Sequence, residues 1–234
     1  MLRVGVVIAV LAFCELCCWE VAWAFPPYRS TDADTAEEGV LEVRLGLAQV
    51  ERESQKNAYL SPLLRGNLGL AANLELVSEV EYRADEGEVT DAAVGFKWVP
   101  FKRSLSLGVE NLLLLPVSAD HDGVGVESLL LATLQRGDLL VHLDLGGFHD
   151  ARPSPTEKGW KSGVIVELIR GQFRPGLELF AKQVKHERAS VQAGPGVIID
   201  LGPLDVRSGL RVGLTREAPD LEVNLWVTWK SAVW

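Results

Sequence analysis

The stretch Leu221-Glu222-Val223-Asn224-Leu225-Trp226-Val227-Thr228-Trp229 alternates apolar and polar residues close to the C-terminus. Its odd positions are all apolar, and among its even positions only Trp226 is not polar. Successive side chains of a strand point to opposite faces, so this pattern predicts a β-strand with one apolar and one polar face. We predict that the strand ends at Trp229 and that Lys230 to Trp234 overhang the sheet.

The residues between Leu41 and Leu214 repeat this alternation, and no run favours the helical period. We recognise about twelve such segments, separated mostly in turn by short turns and longer polar loops. Gly194-Pro195-Gly196 is predicted to break the tenth of them. The pattern predicts an all-β fold, an up-and-down antiparallel barrel of the transmembrane type, with both termini at the short-turn end.

A soluble β-sandwich also alternates, so the polar face belongs either to a lumen or to solvent. Both signs of charge recur on that face, as expected for a narrow lumen crossed by ion pairs. The apolar face consists of Leu, Val and Ala, with few bulky residues for a sandwich core. Aromatic residues cluster near strand ends, as in the interfacial girdles of membrane barrels: Tyr59, Tyr82, Trp98, Phe101, Phe148, Trp160, Phe173 and Trp229. These features favour the barrel.

The polar face supplies the candidate functional residues, because the interior of a transmembrane barrel is polar. The predicted lumen-lining residues are Glu42, Arg44, Glu75, Glu79, Glu81, Lys97, Glu110, His142, Asp144, Lys182, Asp205, Arg207, Arg211 and Glu222.

The N-terminal residues 1–24 have the layout of a cleaved secretory signal peptide. Arg3 precedes an apolar run, and Ala22-Trp23-Ala24 is a small-residue cleavage site. The three cysteines all lie in this segment, so we expect no disulfide in the mature chain. Residues 25–38 form a polar lead-in that is a candidate plug, and residues 39–234 form the predicted barrel.

No arrangement of residues in the sequence points to catalysis, a cofactor or a metal. His142 and Asp144 lie two apart on one strand, where they can share a hydrogen bond inside the lumen. We interpret His142 as a member of an ion pair rather than as a catalytic base, and Ser208 lies on the lipid-facing register, which argues against a triad. Asp120-His121-Asp122-Gly123 offers too few ligands for a calcium loop. A formal net charge of −9 argues against nucleic-acid binding. We expect a protein that is not an enzyme.

Two stretches resemble the outer-membrane family named for the MetA pathway of phenol degradation. Residues 28–47, with Tyr28-Arg29-Ser30-Thr31-Asp32-Ala33-Asp34-Thr35, resemble its opening acidic motif before the first strand. Ala33 stands where a second Asp is usual. Leu68-Gly69-Leu70-Ala71-Ala72-Asn73-Leu74-Glu75-Leu76 resembles its second hairpin. The resemblance implies a twelve-stranded outer-membrane barrel, grouped with channels for hydrophobic or aromatic compounds.

Three hypotheses for function follow. The first is a passive channel or transporter for small solutes in the bacterial outer membrane, with a preference for cations because inward acids outnumber inward bases. The second is a structural or sensing barrel whose lumen is closed by ion pairs and the lead-in. The third is a secreted soluble β-sandwich. In the barrel hypotheses the partners are outer-membrane lipid and the barrel-assembly machinery, for which Trp234 is a candidate terminal signal.

Overall fold

In a computed structural model, residues 27–51, 61–83, 87–118 and 122–234 are described, and they contain twelve strands and no helix. The predicted signal peptide, Tyr59 and His121 lie outside these ranges. The strands are β1 Val40–Glu51, β2 Ser61–Ala71, β3 Leu74–Arg83, β4 Glu88–Phe101, β5 Leu105–Leu115, β6 Gly125–Arg136, β7 Leu139–Asp150, β8 Glu157–Leu168, β9 Phe173–Val184, β10 Ser190–Asp200, β11 Leu204–Gly213 and β12 Leu221–Ala232.

Each strand pairs antiparallel with its neighbours in sequence, and β1 pairs with β12 to close the barrel. The predicted all-β up-and-down barrel of twelve strands is confirmed. We call the end with the tight connections after β2, β4, β6, β8 and β10 the short-turn rim, and the opposite end the loop rim. β1 begins and β12 ends at the short-turn rim.

Two predictions about strand continuity are wrong. β12 does not stop at Trp229, because Lys230 and Ala232 continue the ladder opposite Glu42 and Val40. β10 continues through Gly194-Pro195-Gly196, which pairs residue by residue with Glu178 to Gly176 of β9, and only the ladder to β11 lacks pairs at Gly194 and Pro195. Pro195 faces outward in β10, and the backbone on either side of it stays extended enough to pair.

The outer surface is an apolar belt. Leu130 and Leu177 are 64% and 63% exposed, and many other Leu and Val side chains point outward beside them. A belt of this extent suits lipid rather than water, so the strands are those of a membrane barrel. Most of the predicted girdle is exposed as expected: Tyr82, Trp98, Phe101, Trp160, Phe173 and Trp229. Phe148 is an exception and lies inside, because it shares the inward face of β7 with His142 and Asp144.

Trp226, the residue that interrupts the polar face of the last strand, also points inward. It is 6% exposed and lies opposite Gly46 of β1, where a Cβ would collide with the indole ring. The glycine therefore provides the space that the tryptophan fills. Within the described ranges, no helix is long and apolar enough to cross a membrane.

Candidate functional site

The barrel interior holds every residue that the sequence predicted to line the lumen. Glu42 and Lys182 are half-buried there, and the other twelve are buried. They are distributed over several groups, which are described below from the short-turn rim towards the loop rim.

Paired charges lie inside the barrel near the short-turn rim, on three adjacent strands. Arg44 Nη2 lies 2.6 Å from Glu42 Oε2 on β1, and Arg207 Nη2 lies 2.7 Å from Asp205 Oδ2 on β11. Lys230 of β12 adds a second cation 3.2 Å from Asp205 Oδ2. Strands β1, β12 and β11 are adjacent, so these charges form one band across the seam that closes the barrel.

A buried cluster on β2 to β5 fills the middle of the bore. Arg65 contacts Glu79, and its Nη2 lies 3.0 Å from Glu110 Oε2. Lys97 Nζ lies 3.6 Å from Glu110 and 3.7 Å from Glu75. Buried charges are stable only when paired and hydrogen-bonded, and here two cations serve three carboxylates.

Arg65 is the centre of this cluster, so Arg65→Ala is expected to leave Glu79 and Glu110 buried without their main counter-charge. Breaking a buried pair on one side costs about 3–5 kcal/mol of unfolding free energy. Urea unfolding in detergent micelles, followed by heat-modifiable migration on gels, measures the loss. The matched control is Arg170→Ala, whose exposed pair with Asp138 contributes about 0–1 kcal/mol. Equal midpoints for the two variants would contradict the expected result.

The lead-in, of which residues 27–38 are described, lies inside the barrel. Its backbone amides donate to interior oxygens on four strands. Ser30 N donates to Glu178 of β9 at 2.6 Å, Thr31 N to Asp144 of β7 at 3.2 Å, Ala33 N to Thr133 of β6 at 2.9 Å and Ala36 N to Glu75 of β3 at 2.7 Å. The segment thus crosses the bore from one wall to the other before β1 begins.

Two buried ionic contacts hold the lead-in as well. Arg29 bonds to Glu222, which also contacts Arg211. Asp32 Oδ1 lies 3.4 Å from Lys97 Nζ. Burial opposes ionisation of Asp32, but the positive charge of Lys97 and the hydrogen bond from Asp34 N outweigh it and hold the pKa of Asp32 at about 2. Asp32 therefore stays ionised at neutral and mildly acidic pH, and it is a fourth carboxylate beside the two cations of the central cluster.

Inward-facing glycines form the bed on which the lead-in lies. A Cβ at Gly196 would lie 2.6 Å from Tyr28 Cε1 and 2.9 Å from Pro27 Cγ. A Cβ at Gly209 would lie 2.5 Å from the Pro27 carbonyl oxygen, and one at Gly163 would collide with Ser30. Larger residues at these positions of β8, β10 and β11 would fill the space that the lead-in occupies.

His142 has other partners than Asp144. Its Nδ1 lies 2.9 Å from Thr133 Oγ1 and its Nε2 lies 3.4 Å from Glu167 Oε2, while Asp144 accepts from Thr31 N. A hydroxyl, an imidazole and a carboxylate in a row are also the parts of a nucleophilic triad. Thr133 Oγ1, however, already accepts the hydrogen bond from Ala33 N, so the row fixes the lead-in to β6, β7 and β8.

Cavities lie towards both rims of the bore, and lead-in residues line those at the short-turn rim. The cavity towards the loop rim has a volume of about 150 Å³. Its walls combine apolar Leu112, Leu114, Phe148 and Phe180 with charged Asp91, Glu127, Asp150, Arg152, Glu157, Lys161 and Lys182. One cavity towards the short-turn rim has a volume of about 90 Å³ and is bounded by the lead-in residues 32 and 34–36 together with the charges of that rim. The lead-in therefore separates two vestibules of one bore.

Several interior residues of importance were not among the predicted set. Arg65 and Asn67 lie in a segment whose pattern is weakened by Pro62 and Gly66, although the alternation Leu63, Arg65, Asn67 places them together. Arg29 had no strand pattern to reveal it. Lys161, paired with Glu127, lies in the first part of β8, where Gly159 and Gly163 hide the alternation.

No family model and no curated protein matches the sequence, so membership of the MetA-pathway family is not confirmed. Solved structures do match in fold. An outer-membrane channel from Pseudomonas putida F1 superposes with a TM-score of 0.64 at 11% identity, covering 86% of this chain and 98% of that chain. The chain has the fold of an outer-membrane channel.

Two porins of similar size show the same architecture. The NanC porin matches with a TM-score of 0.61 at 10% identity, over 81% of this chain and 98% of the porin. The KdgM porin matches with a TM-score of 0.59 at 13% identity, over 80% of this chain and 98% of the porin. At these identities the likeness establishes the fold, and the function has to be argued from the interior of this barrel.

Proposed function

We propose that this protein is a bacterial outer-membrane channel for small solutes, with a bore that the lead-in holds closed in the state described here. The observation that carries the proposal is the pair of vestibules on opposite sides of residues 27–38. A barrel built only as a rigid anchor has no need of a solvated cavity at each end. The three neighbouring folds given above are porins or channels by name, and they support the same proposal.

The supporting chemistry is the contrast between the two surfaces. The exterior is apolar, and the interior carries ion pairs of both signs that solutes and water can contact. In the described ranges, interior groups serve as partners for one another and for the lead-in, and the role that we propose for them is transport without catalysis. Export by residues 1–24 and insertion by the barrel-assembly machinery, with Trp234 as its signal, belong to the same proposal.

The loop-side vestibule suggests which solutes enter. Leu112, Leu114, Phe148 and Phe180 give it an apolar wall opposite its charges. Such a wall accommodates a compact apolar or aromatic portion of a solute. This agrees with the solute class implied by the resemblance of residues 28–47 and 68–76 to the MetA-pathway family.

Ion selectivity tests the channel proposal. We expect the open bore to pass K⁺ in preference to Cl⁻ by roughly a few-fold, because inward carboxylates outnumber inward cations on the strands. The reversal potential in planar bilayers under a KCl gradient measures the ratio, on wild-type openings and on a variant lacking residues 25–38. A preference for Cl⁻ would contradict the selectivity, and silence of both proteins in the bilayer would contradict the channel.

A second candidate is a structural or sensing barrel with a permanently closed lumen. The dense anchoring of the lead-in, by amide donors to four strands and by Arg29 and Asp32, is the observation in its favour. The two candidates differ in the intact protein, because only a channel whose lead-in can leave the bore shows openings in planar bilayers while residues 25–38 are present. The third hypothesis, a secreted soluble β-sandwich, is wrong, because the described strands close into one barrel.

A further inference from the structure

We propose that the pocket around the Arg29 side chain is a binding site for guanidinium-bearing solutes, which Arg29 occupies while the lead-in is in place. We call this pocket the Arg29 seat and define it by Glu178, Phe180, Arg211 and Glu222. The proposal deepens the channel function and rests on it for the role of the site in transport. It assigns the bore a solute class that its overall charge does not specify.

The geometry of the seat is that of a guanidinium receptor. Arg29 Nε and Nη2 donate to Glu222 Oε2 at 2.8 and 2.5 Å. Arg29 Cζ lies 5.7 Å from the centroid of the Phe180 ring. A carboxylate acceptor together with an aromatic ring is the combination that binds a planar guanidinium better than a compact ammonium. Arg29, Phe180 and Glu222 are 7%, 3% and 3% exposed, so the seat is shielded from water.

The charge of the seat requires a cation. Glu178 and Glu222 are its two carboxylates, and Arg211 contacts both. With Arg29 present, two cations balance two acids. When the lead-in leaves, one negative charge in the wall of the bore is left uncompensated, which favours binding of another cation in place of Arg29. The occupant that fits is one with a single positive head group of the same shape.

The loop-side vestibule gives access to the seat. Phe180 is part of the wall of that cavity and also contacts Arg29. A solute that enters from the loop rim therefore meets the residue that forms one side of the seat. Because the solute and Arg29 require the same site, binding of the solute and seating of the lead-in exclude each other. Such competition links solute binding to the open state.

Binding measurements on the detergent-solubilised barrel test the proposal directly. The probes are L-arginine and L-citrulline, which have the same shape but differ in the charge of the head group. We expect calorimetry to show L-arginine binding at least about tenfold more tightly to a variant lacking residues 25–38 than to the wild type, whose seat is filled. L-citrulline is expected to bind at least about tenfold more weakly than L-arginine to the same variant, since it cannot neutralise the seat.

Two further variants locate the site. Glu222→Gln in the deletion background is expected to abolish the preference for L-arginine, whereas Glu42→Gln at the short-turn rim is expected to keep it. Heat-modifiable migration shows that each variant is folded. Equal affinity for the two probes, or a preference that survives Glu222→Gln, would overturn the proposal.

Conductance separates this inference from the channel function. In planar bilayers, L-arginine is expected to block the K⁺ current of the deletion variant, and L-citrulline at the same concentration is expected not to block it. If the variant conducts but L-arginine blocks it no more than L-citrulline does, the inference is overturned while the channel proposal still holds. A folded variant that binds L-arginine selectively but does not conduct supports the seat and overturns the channel.

Discussion

Deletion of residues 25–38 is expected to raise single-channel conductance by roughly tenfold or more, because a twelve-strand barrel encloses a bore between the filled eight-strand barrels and the open porins. The lead-in is the structure that lies between the two vestibules. Its removal leaves the barrel ladder complete, since β1 begins at Val40. The measurement is the step size of single openings in planar bilayers in about 1 M KCl. At this salt concentration the Debye length is about 3 Å, so the charges of the bore are screened and the conductance depends mainly on the width of the bore.

The matched control keeps the length of the chain and removes its contacts. Replacement of residues 27–36 by a Gly/Ser sequence of equal length deletes the Arg29 and Asp32 pairs and the Tyr28 packing. This variant is expected to open frequently while the tethered segment still passes through the bore. If the deletion variant inserts and folds but conducts no better than the wild type, the lead-in is not what closes the channel. In that case the side chains of the lumen close it.

The substitution Gly196→Val is expected to open the channel nearly as far as the deletion does. A Cβ at Gly196 meets atoms of Pro27 and Tyr28 at 2.6 to 3.0 Å, and its nearest contacts all belong to the lead-in. The valine therefore expels the segment without straining the barrel wall. Frequent openings in bilayers, several-fold above the wild type, are the expected readout of such overpacking.

Ala193→Val is the matched control for this substitution. Ala193 lies on the outward face of the same strand, so its added methyl groups face lipid and leave the lead-in unchanged. In the background that lacks residues 25–38, Gly196→Val is expected to have no further effect on conductance. A gain of conductance in that background would show that the valine acts on the barrel wall.

The fold was predictable because its signal is local. Each strand can be recognised from the alternation of apolar and polar residues within about ten positions. Short turns and longer loops follow one another in turn along the chain, which implies an up-and-down order of strands. The errors arise where alternation is hidden or misleading. Glycines hide the alternation in the first part of β8. Pro195 predicts a break in β10, but an outward-facing proline does not end the strand. Phe148 lies near a strand end, as a girdle residue does, yet its even position on β7 places it on the inward face with His142 and Asp144.

The candidate site was predictable only in part. The inward direction of Glu222 or Lys97 follows from parity along one strand, but their partners depend on register across strands distant in sequence. Arg29 and Glu222, for example, are 193 residues apart. The lead-in has no period of its own, and nothing local indicates that it lies against Gly196 and Gly209. Its place in the bore is a property of the closed barrel.

The contact between Trp226 and Gly46 bears on the order of folding. It lies at the β1–β12 seam, which joins the first and last strands and so has the greatest loop-closure entropy of all the ladders. We expect this seam to form last and to limit the folding rate. Trp226 leaves water only at that step, so its fluorescence reports the completed barrel. The lead-in adjoins β1 directly and is enclosed in the same step. A newly folded barrel is therefore expected to be closed to solutes.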